Sequence, residues 1–151
     1  MSEPLIDKTQ YMDGYVELDH GSGGQASREL VDGFISAILD DALDSNFDDS
    51  ERLPVYGDAI AFTTDSFVVS PPFFLNGNIG NIAVCGTVND LAVSGAVPKY
   101  ISLALILEEG FKLSDLSLVL KNIRISANEA NVKIVCGDTK VLQKGAIDKI
   151  A

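Results

Sequence analysis

The stretch YISLALIL at residues 100–107 is apolar at nearly every position. A strand that is apolar on both faces is typical of a sheet covered on both sides, because a strand with one face in water shows alternation instead. Residues 113–130 then place apolar side chains at helical spacing, and VKIVC at residues 132–136 predicts a second strand. This order of strand, helix and strand indicates a domain of mixed α and β structure.

The helix predicted over residues 113–130 has its own start and stop signals. Ser114 is the predicted N-cap, and Asn131 can supply the left-handed residue that ends the helix. The predicted buried stripe consists of Leu116, Val119, Leu120, Ile123, Ala127 and Ala130.

A helix of a different kind is predicted upstream, over residues 79–94, with one of two preceding asparagines as its N-cap and Gly95 at its end. Most of its side chains are small and apolar, yet it contains Asn89 and Asp90. An unpaired carboxylate in a core is unfavourable, so Asp90 is expected to be buried with a partner. From the residues alone, that partner can be a metal ion, a group of backbone amides or a basic side chain.

The segment HGSGG at residues 20–24 precedes a further amphipathic helix. Three glycines in five residues let the backbone approach an anion closely, which a phosphate-binding loop requires. On this segment alone, an ordinary tight turn before a helix is the simpler interpretation. Ser22 and Gln25 match a capping box, and we expect the lone His20 to be a cap or packing residue rather than a metal ligand.

Four aspartates lie at the ends of predicted strands or within the small-residue helix. Asp58 and Asp65 bracket the predicted strand DAIAFTTD, and GDTK at residues 137–140 follows the last strand. Magnesium is bound by one or two carboxylates together with water and phosphate oxygens, so separate aspartates converging on one site suit it. Lys140 can neutralise phosphate as a point charge, and Thr139 offers a hydroxyl. Each such residue alone is more often part of a turn or a cap.

The 151 residues contain 22 acidic and 11 basic side chains, a formal net charge of -11. We therefore expect no direct binding to nucleic acid or to an anionic membrane surface. No signal peptide is visible and no apolar run reaches the roughly 18 residues of a membrane span, which predicts a cytoplasmic protein. Cys85 and Cys136 lie in apolar segments, which predicts buried free thiols rather than a disulfide.

The chain divides into a predicted flexible N-terminal arm, residues 1–15, and one domain, residues 16–151. Its last residues, GAIDKIA, begin what resembles another strand and then stop. Since a domain seldom ends inside an element, we expect the chain to be truncated.

Five segments, taken together and in this order, resemble the N-terminal half of HypE, a family of hydrogenase maturation factors. HypE belongs to a superfamily with aminoimidazole ribonucleotide synthetase, selenophosphate synthetase and thiamine monophosphate kinase, and TTDSF, VNDLA and GDTK are similar to its shared elements. The segments are LDHGSGGQASREL (18–30), AFTTDSFVVSP (61–71), IGNIAVCGTVNDLAVSGAVP (79–98), YISLALILEEGF (100–111) and VKIVCGDTKV (132–141).

The resemblance implies a cytoplasmic enzyme that uses ATP to dehydrate a carboxamide on its own C-terminal cysteine. The product, a thiocyanate, becomes the cyanide ligand of the iron in nickel-iron hydrogenase. The implied partners are a second copy of the chain, the carbamoyltransferase HypF and the HypC–HypD complex. Because the family also has a second domain and a terminal cysteine, we expect this chain alone to lack complete activity.

The resemblance also implies the site residues. The residues that would hold magnesium or its waters are Asp58, Asp65 and Asp90, with Asn89 ordering that site by hydrogen bonding. The residues that would face the nucleotide phosphates are Asp138, Thr139 and Lys140, with a mobile loop of Gly21, Gly23 and Gly24 over them. Asp90 and Lys140 would be the catalytic residues.

Two fold predictions follow from these two lines of reasoning. Periodicity alone suggests a doubly wound parallel α/β sheet. The resemblance implies an α+β domain instead, the N-terminal domain of the aminoimidazole ribonucleotide synthetase-like fold. In that fold, a mixed sheet has helices on one face. The sheet pairs with the sheet of a second copy, and together they close a barrel. We adopt the second prediction, which follows from the resemblance. A dimer of this kind would explain why residues 62–69 and 100–107 carry more apolar surface than one small sheet needs.

Two other functions stay open. Another ATP-dependent synthetase or kinase of the superfamily would act on a free small molecule. A non-catalytic dimerisation or docking module would use its acidic residues only for solvation. A downstream domain ending in cysteine would favour the maturation enzyme over another enzyme of the superfamily.

Overall fold

The computed structural model describes residues 13–43, 54–55, 57 and 59–151, so most of the predicted N-terminal arm lies outside the described residues. The first helical segment runs from α1 (Gln25–Arg28) through a π-helical stretch (Glu29–Ile35) to α2 (Ser36–Leu39). Short 3₁₀ turns at Leu18–Gly21 and Asp40–Ala42 flank it. This confirms the amphipathic helix behind the glycine-rich segment, and its buried residues include Leu30, Phe34, Ile35 and Leu39.

The predicted capping box at the start of this segment is wrong. The N-cap is Gly24, which has no side chain to accept a hydrogen bond. The Ser22 hydroxyl instead donates to the backbone oxygen of Asp19 at 2.8 Å, because the preceding 3₁₀ turn offers a nearer acceptor.

A small hairpin leads into the second long helix. Strand β1 (Phe73–Phe74) pairs antiparallel with β2 (Gly77–Asn78), and α3 (Ile79–Val93) follows at once. The Asn78 side chain accepts a hydrogen bond from the Gly80 amide at 2.9 Å, which makes Asn78 the N-cap. Beyond the helix, Gly95 has a φ of +80°, which confirms the predicted end signal.

The rest of the domain is a strand, a helix and a parallel strand. Strand β3 (Tyr100–Glu108) is followed by α4 (Leu113–Ala130) and β4 (Lys133–Leu142), and β3 pairs parallel with β4. The left-handed Asn131, with a φ of 53°, ends α4 as predicted. The N-cap is Lys112 rather than Ser114, so that prediction was wrong by two residues.

The second edge of β3 is occupied by residues 149–151, which we call the return segment. The Ile106 and Ala151 backbones exchange two hydrogen bonds, at 2.9 and 3.0 Å, and the Glu108 amide donates to Lys149 at 2.8 Å. The Glu108 carboxylate also accepts from the backbone amides of Gly145 and Lys149, at 2.7 and 3.2 Å. The return segment is antiparallel to β3, so parallel and antiparallel pairing meet at this strand.

Only one face of β3 is covered. Leu103, Leu105 and Leu107 are buried, whereas Ser102 and Ala104 on the other face are exposed. The expectation that this strand is covered on both faces is therefore wrong for the single chain. Small residues such as Ser102 and Ala104 are tolerated either in a core or in water, so the pattern could not decide between them.

The domain is α+β, and the doubly wound sheet suggested by periodicity is wrong. The described residues form two two-stranded sheets, and α3 and α4 pack against each other. One apolar core joins the buried face of β3 to the helices; its fully buried members include Leu30, Ile35, Leu39, Leu107, Leu116, Leu120, Ile123 and Ile134.

The two thiols are free, as predicted. Cys85 is exposed on α3 and Cys136 is half-buried, so the predicted burial is wrong for Cys85. Within the described residues, every helix is too short or too polar to cross a membrane.

Candidate functional site

Residues 59–69 form an extended segment beside α3. No strand pairing involves them within the described part of the chain, so the strand predicted up to Asp65 is wrong there. The Phe67 ring lies against Gly86 of α3 so closely that a Cβ built at Gly86 would be 2.6 Å from it. Just beyond the segment, the Ser70 hydroxyl donates to the Asp148 carboxylate at 2.5 Å. That hydrogen bond is the main reason why the pKa of Asp148 is lowered.

A groove of about 300 Å³ lies between this segment, α3 and β3. Its walls are residues 61–67, one side of α3 that includes Ala83 and Thr87, and residues 100–106 of β3. The lining is mostly apolar, and Asp65 is the acidic side chain in it.

The acids predicted for metal binding are open to solvent. Asp65 is exposed and its carboxylate accepts from the Ser66 amide at 3.0 Å. Asn89 and Asp90 are also exposed, so the expectation that Asp90 is buried is wrong. The buried residues of α3 lie in its first half, and its second half projects into water. Asp58 lies outside the described residues.

The predicted turn GDTK is part of strand β4 rather than a loop after it. Asp138 and Lys140 are exposed on one face and form an ion pair at 2.9 Å. Their partners in the ladder are Ala104 and Ile106 of β3, both on its exposed face. Thr139 points to the opposite face, and its buried hydroxyl has no hydrogen-bond partner among the described residues.

The glycine-rich segment lies against the end of β4. A Cβ built at Gly21 would be 2.9 Å from the Val141 amide nitrogen, so only a glycine fits there without a shift. Gly23 has a φ of +78° and its amide donates to the Ser27 hydroxyl at 2.8 Å. His20 accepts from the Glu17 amide at 2.9 Å and is a cap, as expected.

The structure thus places the described site residues in two regions. The glycine-rich segment meets β4 one residue after Lys140. Asp65 lies beside α3, the helix that carries Asn89 and Asp90. Within the described residues, no group of three or more acidic, histidine or cysteine side chains is arranged to hold a metal ion. Magnesium needs only one or two carboxylates when phosphate oxygens and waters complete its shell, so the exposed acids still fit it.

Sequence reasoning missed the contact between Phe67 and Gly86, which places the Asp65 segment on α3. A glycine inside a helical pattern is itself a signal of close approach, and Gly86 carried that signal. It also missed Asn81, whose side chain joins α3 to α4.

Comparison with known proteins gives a consistent result. The family model for the N-terminal domain of AIR synthase related proteins matches residues 47–150. Carbamoyl dehydratase HypE of Escherichia coli (strain K12) is 46% identical over 140 residues, which cover 89% of this chain and 42% of that protein. Carbamoyl dehydratase HypE of Bradyrhizobium diazoefficiens is 43% identical over 141 residues, 93% of this chain and 41% of that protein.

Solved structures agree with the sequence comparison. Hydrogenase maturation protein HypE in complex with ATP superposes with a TM-score of 0.83 at 44% identity, over 89% of this chain and 40% of that one. A HypE–HypF complex contains a chain with a TM-score of 0.56 at 53% identity, over 57% of this chain and 28% of that one. This chain spans about two fifths of the length of the two relatives described above.

Proposed function

This chain belongs to the AIR synthase related family, and on that basis we propose that it is the ATP-binding and dimerising domain of a HypE-type carbamoyl dehydratase. In the proposed reaction, ATP phosphorylates the amide oxygen of a carboxamide carried on a C-terminal cysteine. Phosphate then leaves and the amide nitrogen loses both protons, which yields a thiocyanate and ADP. The protein positions the groups and screens their charge, as in other phosphoryl transfers.

The observation that carries the proposal is the contact between Gly21 and the end of β4. It joins the two segments that sequence reasoning assigned to phosphate, although about 120 residues separate them. In the proposed site Gly21, Gly23 and Gly24 offer backbone amides to the phosphates, for which the Gly23 amide must exchange its present partner, the Ser27 hydroxyl. Lys140 supplies positive charge. Further support comes from the similar HypE protein whose structure holds ATP.

Asp138, Thr139 and Lys140 have distinct roles in this proposal. Lys140 is paired with Asp138 at 2.9 Å in the structure, so it must exchange that partner for a phosphate oxygen. The buried Thr139 hydroxyl, which has no partner among the described residues, is available for a hydrogen bond to the nucleotide or to a water beside it.

Magnesium would be held by Asp65 and Asp90, together with Asp58, and Asn89 would orient the ion's waters. When bound, the ion would supply positive charge that offsets the negative charge developing on the phosphates. Asp90 and Lys140 are therefore the proposed catalytic residues. Asp65 and Asp90 are exposed, which supports a site where phosphate oxygens and water supply the remaining ligands of the ion.

We propose that two copies pair their sheets to close a barrel. Ile60, Phe62 and Val68 are 73%, 86% and 80% exposed on a segment without strand pairing among the described residues. Ile106 adds apolar surface on the uncovered face of β3. Apolar surface of this kind is typical of a protein interface.

The proposed partners beyond the second copy are HypF and the HypC–HypD complex, and the proposed location is the cytoplasm. The HypF partner is supported by the HypE–HypF complex, whose matching chain is 53% identical to this one.

Asp90→Ala in the full-length protein tests the nucleotide site. We expect its affinity for ATP in the presence of magnesium, measured by calorimetry, to fall about ten- to hundredfold, because a charge-assisted contact is lost. Without magnesium, the variant and the native protein should bind ATP equally weakly. Glu129→Ala removes an exposed acid from α4 and is the matched control. Unchanged affinity in Asp90→Ala would rule out the metal role.

A further inference from the structure

The rotation of α3 about its own axis is not fixed by an apolar stripe. Among its fifteen residues Ile79, Gly80 and Val84 are buried, and all three lie in the first half. Most of the other side chains are small and apolar. A helix without a marked apolar face gains little from one rotation over another through burial alone. An additional interaction must therefore help to set the direction in which Asn89 and Asp90 point.

Hydrogen bonds of Asn81 supply that interaction. Its side-chain oxygen accepts from the Asn78 amide and from the Asn122 side chain, both at 3.0 Å. Its side-chain nitrogen donates to the Ser126 hydroxyl at 3.2 Å. The Asn78 side chain adds a bond to the Leu118 carbonyl at 3.2 Å. One asparagine thus ties the start of α3 to two successive turns of α4.

The backbones of the two helices touch at the same place. A Cβ built at Gly80 would lie 2.4 Å from the Val119 carbonyl oxygen and 2.9 Å from the Ile123 side chain. With the helices this close, the two hydrogen bonds that join Asn81 to α4 can form in only a narrow range of rotations, since their geometry fails at larger angles.

The rotation of α3 determines where two acids stand. Asp90 lies nine residues after Asn81, about 13 Å along the helix axis, so Asn81 cannot touch a ligand held there. Asp65 is linked to the same helix through Phe67, whose ring packs on Gly86. Turning a helix of roughly 5–6 Å radius by about 20° moves a side-chain tip by about 2 Å.

We propose that Asn81 is a positioning residue: it fixes the rotation of α3 against α4 and thereby the position of Asp90, and of the Asp65 segment that packs on α3 through Phe67, relative to the rest of the domain. The nucleotide role of the two acids rests on the proposed function, but the rotation of α3 does not. A misplacement of about 1 Å in a site can cost roughly a hundredfold in rate, so the network matters to the site although it lies outside it.

Two substitutions separate the hydrogen bonds from the volume of the side chain. Asn81→Leu keeps a similar size and loses all three bonds. Asn81→Asp keeps the oxygen that accepts from Asn78 and Asn122, and the Ser126 hydroxyl can turn and donate to its second oxygen. A negative charge in the first turn of a helix is also favourable. We expect Asn81→Asp to behave like the native protein. We expect α3 to adopt a different or less defined rotation in Asn81→Leu.

The first measurement requires no nucleotide. Cys85 is exposed on α3, and Ile125, 51% exposed on α4, can be replaced by cysteine. In the full-length protein with its other cysteines replaced, spin labels at these two positions report the distance between the helices. We expect Asn81→Leu to shift or broaden the distance distribution by about 2 Å or more, and Asn81→Asp to leave it unchanged. Superimposable distributions for the Leu variant and the native protein would overturn the inference.

The second measurement is the affinity for ATP with magnesium, by calorimetry. We expect Asn81→Leu to weaken this affinity about tenfold or more, as substitutions of residues that orient metal ligands do. We expect Asn81→Asp to keep the native affinity. Ile134→Val, a core change away from the contact between α3 and α4, should lower the unfolding temperature without changing the affinity. If the affinity of Asn81→Leu is unchanged, or falls only in proportion to its unfolding temperature, the positioning role is wrong.

A double variant distinguishes the two proposals. If Asn81 acts by positioning Asp90 and Asp65, Asp90→Ala with Asn81→Leu loses less affinity than the sum of the two single losses, whereas fully additive losses contradict the inference. A native protein that binds no ATP with magnesium would refute the proposed function, and the label distances would still decide whether Asn81 fixes α3.

Discussion

Helices α4 and α3 lie against each other, but different interactions orient them. Helix α4 buries a continuous stripe that includes Leu116, Leu120 and Ile123. Helix α3 has no such stripe and is held by Asn81, by its cap and by a backbone contact at Gly80. When burial orients a helix, the spacing of its apolar residues shows which face is buried. When a few polar contacts orient it, the sequence has no such pattern. It follows that the two helices should respond to different kinds of substitution.

The largest effect is expected in the apolar stripe of α4. Leu120 is fully buried, and Leu120→Ala should lower the free energy of unfolding by about 2–5 kcal/mol, through lost transfer energy and the cavity left behind. Denaturant unfolding followed by circular dichroism measures this loss.

Leu118 provides a matched control on the same helix, since it is 50% exposed. Leu118→Ala should change the free energy of unfolding by no more than about 0.5 kcal/mol. Equal losses for the two leucines would mean that the stripe does not orient α4.

The second-largest loss of unfolding free energy is expected where the backbone of α3 touches α4. Gly80→Ala places a methyl group 2.4 Å from the Val119 carbonyl oxygen, and overpacking of this kind costs about 1–3 kcal/mol. Gly86→Ala is the comparison, because its methyl group would meet the Phe67 ring, which belongs to a segment without strand pairing among the described residues. That ring can move, and alanine favours the helix by about 1 kcal/mol over glycine.

We therefore expect Gly86→Ala to unfold at nearly the native denaturant concentration and Gly80→Ala to unfold clearly earlier. A larger loss for Gly86→Ala than for Gly80→Ala would show that the Phe67 contact, and not the contact with α4, holds α3 in place.

The smallest effect is expected at the exposed side of α4. The pKa of Asp41 is lowered below its ordinary value of 3.8, first by the hydrogen bond from Arg124 and then by that from Asn128. A lowered pKa means that this stabilisation is present above about pH 3.8 and is lost as the pH falls through the folded-state pKa. The pair is solvent-exposed, so its contribution is small.

Arg124→Gln tests this titration. The difference in unfolding free energy between native and variant protein, measured by urea unfolding, should be present at neutral pH and shrink toward zero well below pH 3.8. A difference that stays constant over this range would show that Arg124 stabilises α4 through packing rather than through Asp41.

The fold could be predicted where buried apolar residues recur at a regular spacing in the sequence. The sequence predicted α4, the two strands around it and the end signals at Gly95 and Asn131. It failed for residues 59–69, because a strand needs a partner and an apolar pattern cannot show whether the partner lies in the same chain. It also failed for the exposed Asp90, since small residues such as those of α3 are common both in cores and at surfaces.

The candidate site could be predicted only as a set of segments. The resemblance to HypE assigned the glycines and GDTK to the phosphates, but the contact between Gly21 and Val141 depends on packing between the two ends of the chain. The position of GDTK inside β4 was missed because Gly and Asp favour turns locally, and the ladder with β3 overrides that preference.

The bond between Ser70 and Asp148 has a consequence for the order of folding. The Ser70 bond spans 78 positions and requires the region before the return segment to be in place. The Phe67 ring packs on Gly86, which is much nearer in the sequence. A local contact therefore holds residues 59–69 near Phe67, while a long-range bond holds the chain just beyond them, and the long-range bond closes the larger loop. The end of this segment next to Ser70 can thus take its place only once the region around Asp148 has folded.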